Sequence, residues 1–289
     1  MDRAEKIGII GGSGFYGIEG LEVVDDVSLD TPWGKPSDDF RIFQSDGREI
    51  VFLPRHGKGH TILPSEINYR ANIFGMKMLG VERIISVSAV GSYKMDIAPR
   101  DIVIVDQFFD RTKQSAESTF FGEGIAGHIS FAEPVCPVLS KIIFETISGN
   151  DIKVHEGGIY LNMEGPAFST KAESLIFKNM GMDVIGMTNL AEARLSREAE
   201  ICFATIALVT DYDAWHEELE PVSVPEVMEN LNYATEHINK KLKTVLKAIP
   251  EKRDCICASS LSTALITDKD AIDTETKERL SLLVAKYLN

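Results

Sequence analysis

The chain has 289 residues, a formal net charge of −14 and a hydrophobic content of 44%, enough for a large buried core. The acidic balance, without a basic patch, argues against a nucleic-acid partner, and the short apolar runs argue against a signal peptide, a membrane span or a membrane partner. No linker, low-complexity tract or repeat marks a boundary, so we expect one cytoplasmic α/β domain over residues 1–289.

A glycine-rich loop follows the first predicted strand, in residues 7–17 (IGIIGGSGFYG). It has the G-x-G-x-x-G spacing of dinucleotide-binding loops, and its backbone N–H groups could approach an anion that Ser13 also binds. A dinucleotide unit needs a crossover helix next. Instead, residues 21–30 are acidic and β-branched, and residues 31–36 (TPWGKP) break any helix. The loop therefore predicts a site for a phosphate-like anion and disfavours NAD.

A second loop with anion-binding character is predicted in residues 54–60 (PRHGKGH). His56 and His60 have the i, i+4 spacing that binds metals on helices, but the two glycines make a helix improbable here. A basic loop with Arg55 and both histidines is better suited to hold an anion. A solvated basic turn is the alternative.

The rest of the chain predicts alternating strands and helices, the pattern of an α/β fold. Strands are expected at about 40–44, 48–53, 83–90, 101–109, 153–163, 183–188 and 202–210. Helices are expected from a Ser65 cap to Gly80, at about 137–148, from a Thr170–Glu173 capping box to Gly181, and at about 190–200, 224–248 and 271–287. Ser88 ends one strand, where open α/β sheets collect ligands. The long polar segment 111–131 is predicted to be a functional or disordered loop.

Two carboxylates, Asp211 and Asp213, follow the last predicted strand. At i and i+2 they can face one side of a strand end while Tyr212 faces the other. In a partly buried cleft their proximity would raise one pKa and leave one group able to donate a proton. Helix capping or solvation at a strand end is an alternative interpretation. So is a metal site, although the glutamates in residues 217–220 look like an exposed run.

The cysteines, Cys136, Cys202, Cys255 and Cys257, are too few for a disulfide scaffold. Four reduced thiols are the favoured interpretation, and structural or redox-active disulfides are the alternative. A zinc site is disfavoured because no second Cys/His pair lies at ligand spacing near Cys255 and Cys257.

Several motifs together resemble one known family. They are GGSG (11–14), PRHG (54–57), NYRAN (68–72), VSAVGS (87–92), MEGPAFST (163–170), MT (187–188) and TDYD (210–213). In this order, from residue 7 to about 265, they resemble the 5′-methylthioadenosine phosphorylases, in the trimeric branch of the purine nucleoside phosphorylase superfamily. The resemblance implies a single domain with a mixed, partly barrel-like β-sheet surrounded by helices. A C-terminal extension at about 267–289 departs from the shorter members.

The resemblance also implies a role for individual residues. The implied phosphate site comprises Ser13, Arg55, His56, Ser88, Ala89 and Thr188. Met187 would meet the ribose, Phe168 and Ser169 would stack on the base, and Asp211 and Asp213 would read adenine. The implied 5′-methylthio pocket comprises His128, Val224, Val227, Met228 and Leu265, with His128 and Leu265 reaching from the neighbouring subunit of a trimer or hexamer.

The implied reaction is phosphorolysis of S-methyl-5′-thioadenosine by inorganic phosphate, in purine and methionine salvage. The products are adenine and S-methyl-5-thio-α-D-ribose 1-phosphate, and no metal or organic cofactor is implied. Asp211 would protonate N7 of the base, and Asp213 would accept from its 6-amino group. A purine nucleoside or S-methyl-5′-thioinosine phosphorylase of the same fold is the main alternative. A non-catalytic nucleotide sensor is a further one.

Overall fold

The computed structural model describes residues 5–18, 20–113, 118–216 and 224–288. Within these residues eleven strands form one mixed sheet. They are β1 (Lys6–Gly11), β2 (Val23–Val27), β3 (Phe40–Ser45), β4 (Arg48–Pro54), β5 (Val81–Ser92), β6 (Ile102–Val105), β7 (Gln107–Asp110), β8 (Val154–Glu156), β9 (Ile159–Asn162), β10 (Val184–Gly186) and β11 (Cys202–Asp211). The helices are α1 (Tyr69–Met78), α2 (Pro137–Ile147), α3 (Lys171–Asn179), α4 (Asn189–Glu198), α5 (Val224–Ala248), α6 (Thr274–Arg279) and α7 (Ser281–Leu288).

Strand β5 organises the sheet because it has partners on both sides and at its end. It runs parallel to β1 and to β11, and its last residues pair antiparallel with β10. From β10 the pairing continues to β9 and β7, and from β11 it continues to β6. Since only Asp106 separates β6 from β7, the two arms meet in a barrel-like ring. Side chains from five of these strands fill its interior, including Val90, Val103, Tyr160 and Val209.

The glycine-rich loop does not begin a dinucleotide-binding unit. Strand β1 pairs in parallel with β4 and β5, and the strand that follows the loop, β2, lies at the far edge of the sheet beside β3. The prediction that no crossover helix follows this loop is confirmed.

Helices cover both faces of the sheet. The apolar sides of α2 and α5 pack on one face with Ile7, Ile9 and Ile206. Helices α1, α4 and α7 pack on the other face with Ile10, Ile84 and Phe203. Together with the ring, this arrangement confirms the predicted α/β fold with a mixed, partly barrel-like sheet. None of the helices in the described part of the chain combines the length and apolarity needed to cross a bilayer.

Four predicted elements differ from the structure. The helix expected from a Ser65 cap begins later, because Asn68 is its N-cap and accepts a hydrogen bond from Ala71 N–H (3.1 Å). The strand expected at 101–109 is broken at Asp106, whose Oδ1 accepts from Gly158 N–H (2.9 Å). The strand expected at 153–163 is broken at Gly157 and Gly158. The helix expected at 271–287 divides at Leu280, which is the C-cap of α6.

Candidate active site

A cavity of about 300 Å³ opens where β1, β4, β5 and β11 end. Most of the residues predicted to form the site line it: Ser13, Arg55, His56, Ser88, Ala89, Phe168, Met187, Thr188, Asp211, Asp213, Val227 and Met228. Parallel strands bring their carboxyl ends to one edge of a sheet, which explains why residues so distant in sequence meet here. Both predicted loops and the carboxylate pair therefore face one space.

Arg55, at the end of β4, is buried and held by a carboxylate that the sequence did not identify. Its Nε donates to Glu192 Oε1 (2.5 Å), and its Nη2 donates to Glu192 Oε2 (3.1 Å). Ser86 completes the arrangement, since its hydroxyl accepts from Nη2 (2.6 Å) and donates to Glu192 Oε2 (2.6 Å). Asn189 Nδ2 donates to both Ser86 Oγ and Glu192 Oε2. A bidentate ion pair in this network fixes the guanidinium plane.

The remaining nitrogen of Arg55 faces the glycine-rich loop. Nη1 donates to the carbonyl of Val87 (3.1 Å), which also accepts from Gly12 N–H (3.1 Å). A Cβ at Gly12 would lie 2.6 Å from Nη1, so only glycine allows the loop to approach the guanidinium this closely. A guanidinium has five N–H donors, and four are engaged by protein atoms. Among the described residues, one N–H on Nη1 has no partner and is left for a ligand beside the loop.

His56 lies beside Arg55 and is mostly buried. Its Nδ1–H donates to the carbonyl of Ile62 (2.8 Å), which leaves Nε2 without a proton in the neutral ring. Burial, followed by the positive charge of Arg55, lowers the pKa of His56 to about 4. His60, which also lines the cavity, stacks on it with ring centroids 4.3 Å apart. His56 is thus neutral near pH 7.

Neutral hydrogen-bond donors surround the same end of the cavity. Ser88 lies in β5, and its hydroxyl is 3.4 Å from Tyr160 Oη. Thr188 is the N-cap residue of α4, and its side chain makes no capping hydrogen bond. The amino end of a helix favours an anion through its free N–H groups and its dipole. Hydroxyls, backbone amides and one guanidinium N–H therefore converge on an anion-sized space.

Asp211 ends β11 and lies largely buried in the cavity. Its Oδ2 accepts from Thr210 Oγ1 (2.6 Å) and its Oδ1 accepts from Asp213 N–H (2.8 Å). Burial raises the pKa of Asp211 to about 6, although these two hydrogen bonds oppose the rise. A Cβ at Gly91 would lie 2.8 Å from Asp211 Oδ1, so this glycine leaves room for the carboxyl. Asp211 can therefore hold a proton near neutral pH.

Asp213 is held differently. Its φ of 49° places it in the left-handed region, which is uncommon for residues other than glycine. Its Oδ2 is buried and has no hydrogen-bond partner among the described residues. The carboxylate lies near Tyr93, and burial together with the charge of Asp213 raises the pKa of this tyrosine. Asp213 thus presents an unused acceptor in the cavity.

The remaining walls are apolar. Phe168 is 52% exposed at the mouth, and Met187 precedes Thr188 at the end of β10. Val227, Met228 and Leu231 reach the cavity from the first turns of α5. This division into a polar end and an apolar end suits a ligand of mixed character.

Four predicted site residues do not line this cavity: Ser169, Val224, His128 and Leu265. Ser169 Oγ instead lies 4.0 Å from Met163 Sδ, and Val224 is 65% exposed at the start of α5. His128 and Leu265 lie together, because Gly127 pairs with Leu265 and His128 N–H donates to the carbonyl of Ala264 (2.8 Å). The glutamates in residues 217–220 lie outside the described residues.

Sequence reasoning missed the residues that hold the lining groups in place, namely Ser86, Tyr93, Tyr160, Asn189 and Glu192. All five side chains are completely buried, and four of them lie inside strands or helices, where the sequence pattern resembles that of an ordinary core. Glu192 offered the one usable signal. A carboxylate three residues after Asn189 falls on the inward side of α4, where a charge requires a partner.

The family model described as the phosphorylase superfamily matches residues 6–247. The match covers most of the chain, from β1 almost to the end of α5. The chain belongs to this superfamily.

Within it, the chain is similar to S-methyl-5′-thioadenosine phosphorylases. It is 52% identical to the one from Geobacter sulfurreducens, and the match covers 98% of this chain and 99% of the relative. A solved methylthioadenosine phosphorylase from an antarctic soil metagenomic library has a TM-score of 0.90 and 43% identity, covering 98% of this chain and 99% of that one. The Schistosoma mansoni enzyme solved with adenine has a TM-score of 0.81 and 34% identity, covering 97% and 98%. The resemblance predicted from the motifs is confirmed, and it extends beyond residues 7–265.

Proposed function

We propose that this chain catalyses the phosphorolysis of S-methyl-5′-thioadenosine by inorganic phosphate. The products are adenine and S-methyl-5-thio-α-D-ribose 1-phosphate. One observation carries the proposal: the anion-binding groups and the Asp211–Asp213 pair line the same cavity, with apolar side chains beside them. The names of the relatives and of the solved neighbours support the same substrate. The reaction needs no metal or organic cofactor, since phosphate is itself the co-substrate.

Phosphate is the nucleophile in this reaction. Ser13, Ser88, Thr188 and the free Nη1–H of Arg55 hold it, and the backbone at Ala89 and His56 complete its surroundings. One phosphate oxygen forms a bond to C1′ of the ribose while the C1′–N9 bond breaks. The sugar carries positive charge in an oxocarbenium-like transition state, and the adjacent phosphate charge stabilises it in a site built in advance.

Adenine leaves as the electron pair of the broken bond moves to N9. Protonation at N7 makes this departure easier, and Asp211 is the donor because burial keeps its pKa near the working pH. Asp213 accepts a hydrogen bond from the 6-amino group through Oδ2, the buried atom that has no partner among the described side chains. Met187 contacts the ribose, and Phe168 stacks on the base with Ser169 behind it.

The 5′-methylthio group occupies the apolar end formed by Val227 and Met228, with Val224 at its rim. We place His128 and Leu265 at the same pocket of a second copy, because they lie together outside the cavity of their own chain. We propose a homotrimer, or a hexamer made of two trimers, as the active form. Sedimentation velocity distinguishes these states from a monomer.

The base preference provides the test. A 6-oxo purine would place a carbonyl opposite the Asp213 carboxylate, and leaving two buried acceptors unpaired costs about 1–3 kcal/mol. We therefore expect kcat/KM for methylthioadenosine to exceed that for methylthioinosine or inosine by roughly 10- to 100-fold. Asp213→Asn should narrow this difference, since the amide can donate to a 6-oxo group. Inosine used as well as methylthioadenosine by the unaltered protein would refute the proposed substrate. Nucleoside binding without release of ribose 1-phosphate product would refute catalysis.

A further inference from the structure

All four cysteines of the chain meet at one point, far from the cavity. The sulfurs of Cys136, Cys202, Cys255 and Cys257 all lie within 4.8 Å of one another. Cys136, Cys202 and Cys257 are buried, and none of the four is in a disulfide. The sulfurs of Cys202 and Cys255 are 3.3 Å apart.

The fold supplies the second ligand pair that the sequence spacing did not predict. Cys136 is the N-cap residue of α2, and Cys202 is the first residue of β11. They lie side by side because α2 packs on β11. No second pair lies near Cys255 and Cys257 along the chain, but the fold brings Cys136 and Cys202 to them.

The Cys255–Cys257 segment has the conformation needed to present two ligands to one point. Cys255 is extended, with φ of −155° and ψ of 161°. A 3₁₀ turn over Ile256–Ser259 follows Cys255, so Cys257 lies in the first part of that turn. Ile256 is 74% exposed, while both flanking sulfurs lie in the cluster.

The geometry is close to that of a tetrahedral thiolate site. With Zn–S bonds of about 2.3 Å, the sulfurs of such a site lie about 3.8 Å apart. Cys202 Sγ and Cys255 Sγ are 3.3 Å apart, and every pair of sulfurs in the cluster lies within 4.8 Å. Shifts of the sulfurs by about 1 Å or less, which small changes of χ1 can produce, would make the distances between them equal.

The surroundings match the charge of such a site. Four thiolates around a divalent cation carry a net charge of −2, and Arg197 Nη1 lies 4.0 Å from Cys257 Sγ. A cavity of about 130 Å³ lined by Cys136, Cys202 and Cys255 also contains Arg83 and Arg253 in its walls. Arg197 offsets part of this charge, whereas Arg83 and Arg253 are already paired with Glu5 and Glu82. The cavity provides a path for an ion.

We propose that this four-cysteine cluster is a structural Zn²⁺ site. Binding replaces four S–H bonds by four Zn–S bonds and releases four protons to solvent, with no change of oxidation state. A soft, tetrahedral sulfur set without an open position favours zinc over oxygen-seeking cations. The site joins α2, β11 and the segment after α5, which continues to Leu265 and to α6 and α7.

The site is separate from the reaction. Cys202 and Asp211 stand at opposite ends of β11, ten residues that span roughly 30 Å in extended conformation. The ion would therefore secure the C-terminal segment without contacting the substrate. Its loss is expected to lower the apparent melting temperature while kcat is kept at temperatures where both forms are folded.

The decisive experiment measures metal and thiols on the intact protein. Tag-free protein is produced with zinc in the medium, purified under reductant, and examined by native mass spectrometry and elemental analysis. We expect about one zinc per chain. After removal of zinc, Co²⁺ should restore the cluster with the visible d–d absorption of a tetrahedral tetrathiolate complex. Both readouts are independent of catalysis.

Variants supply the control. Cys257→Ser should lose nearly all bound zinc, and Ile256→Ser, which changes only the exposed residue between two ligands, should keep it. Three results would overturn the proposal, even if Cys257→Ser does not fold. In the first, the unaltered protein has four titratable thiols and binds no zinc after reconstitution. In the second, its mass is lower by two hydrogens for each disulfide that has formed. In the third, the metal that it contains is iron.

Discussion

Asp211→Asn tests the proposed proton donor through catalysis. The asparagine amide can occupy the same place and still hydrogen-bond to N7 of the base, but it has no proton to transfer. Loss of a positioned general acid typically costs between about 100- and 10,000-fold in rate. We expect kcat to fall within this range. In the unaltered protein, kcat/KM should also decline as the pH rises through about 6, because Asp211 then loses its proton.

The same substitution should stabilise the fold at high pH. Since the pKa of Asp211 is raised from 3.8 to about 6, the folded chain keeps a proton that the unfolded chain has lost, and stability decreases as the pH rises through this window. This shift of about two pKa units lowers the free energy of unfolding by about 3 kcal/mol above pH 6. Asparagine does not ionise, so the variant lacks this loss. Its stability relative to the unaltered protein should increase by about 1.5 kcal/mol between pH 5 and pH 8.

Urea unfolding of both proteins at pH 5 and pH 8, at equal chain concentration, measures this difference, and steady-state phosphorolysis measures the loss of rate. Asp25→Asn is the control, because this carboxylate is exposed in β2. A variant with near-normal kcat would refute Asp211 as the donor. A stability difference that does not change with pH would refute the argument from burial.

Two further substitutions examine the phosphate end of the cavity. Glu192→Gln leaves the buried Arg55 without its counter-charge, so we expect the free energy of unfolding to fall by about 3–5 kcal/mol. Phosphate, but not chloride, should restore part of the lost free energy of unfolding. If phosphate stabilised the unaltered protein equally, the loss of the Glu192 charge would not be the cause. Ser13→Ala removes one hydrogen bond to a charged ligand, so KM for phosphate should rise about 10- to 100-fold. KM for the nucleoside, measured in the same assay, should change far less, and equal rises in both would place Ser13 elsewhere in the site.

Elements with a strong local pattern could be predicted from the sequence. Helix α5 was expected at about 224–248 and is found at these residues, because Leu231, Ile238 and Leu242 recur on one buried side. The Thr170–Glu173 capping box is also present, with Thr170 Oγ1 accepting from Glu173 N–H (3.2 Å). Both features depend on residues within a few positions of one another.

Features that depend on distant contacts could not be predicted. The break between β6 and β7 follows from the hydrogen bond between Asp106 and Gly158, which are far apart in sequence. In the site, Ser13 and Arg55 could be identified because glycines and basic residues in a loop indicate an anion-binding site. Glu192, in contrast, lies in a helix, where its inward position indicates a buried partner, but only the packing of the sheet shows that this partner is Arg55. The cysteine cluster needed the packing of α2 on β11 in the same way.

The pairing of Arg55 with Glu192 also determines how phosphate keeps its charge. Because the arginine charge is already neutralised, the protein holds the anion with dipoles and single hydrogen bonds. The negative charge therefore stays available to the cationic sugar. A chain of net charge −14 also repels phosphate at long range. Dissolved salt screens this repulsion beyond about 10 Å, so ionic strength should assist the entry of phosphate while leaving its bound state almost unaffected.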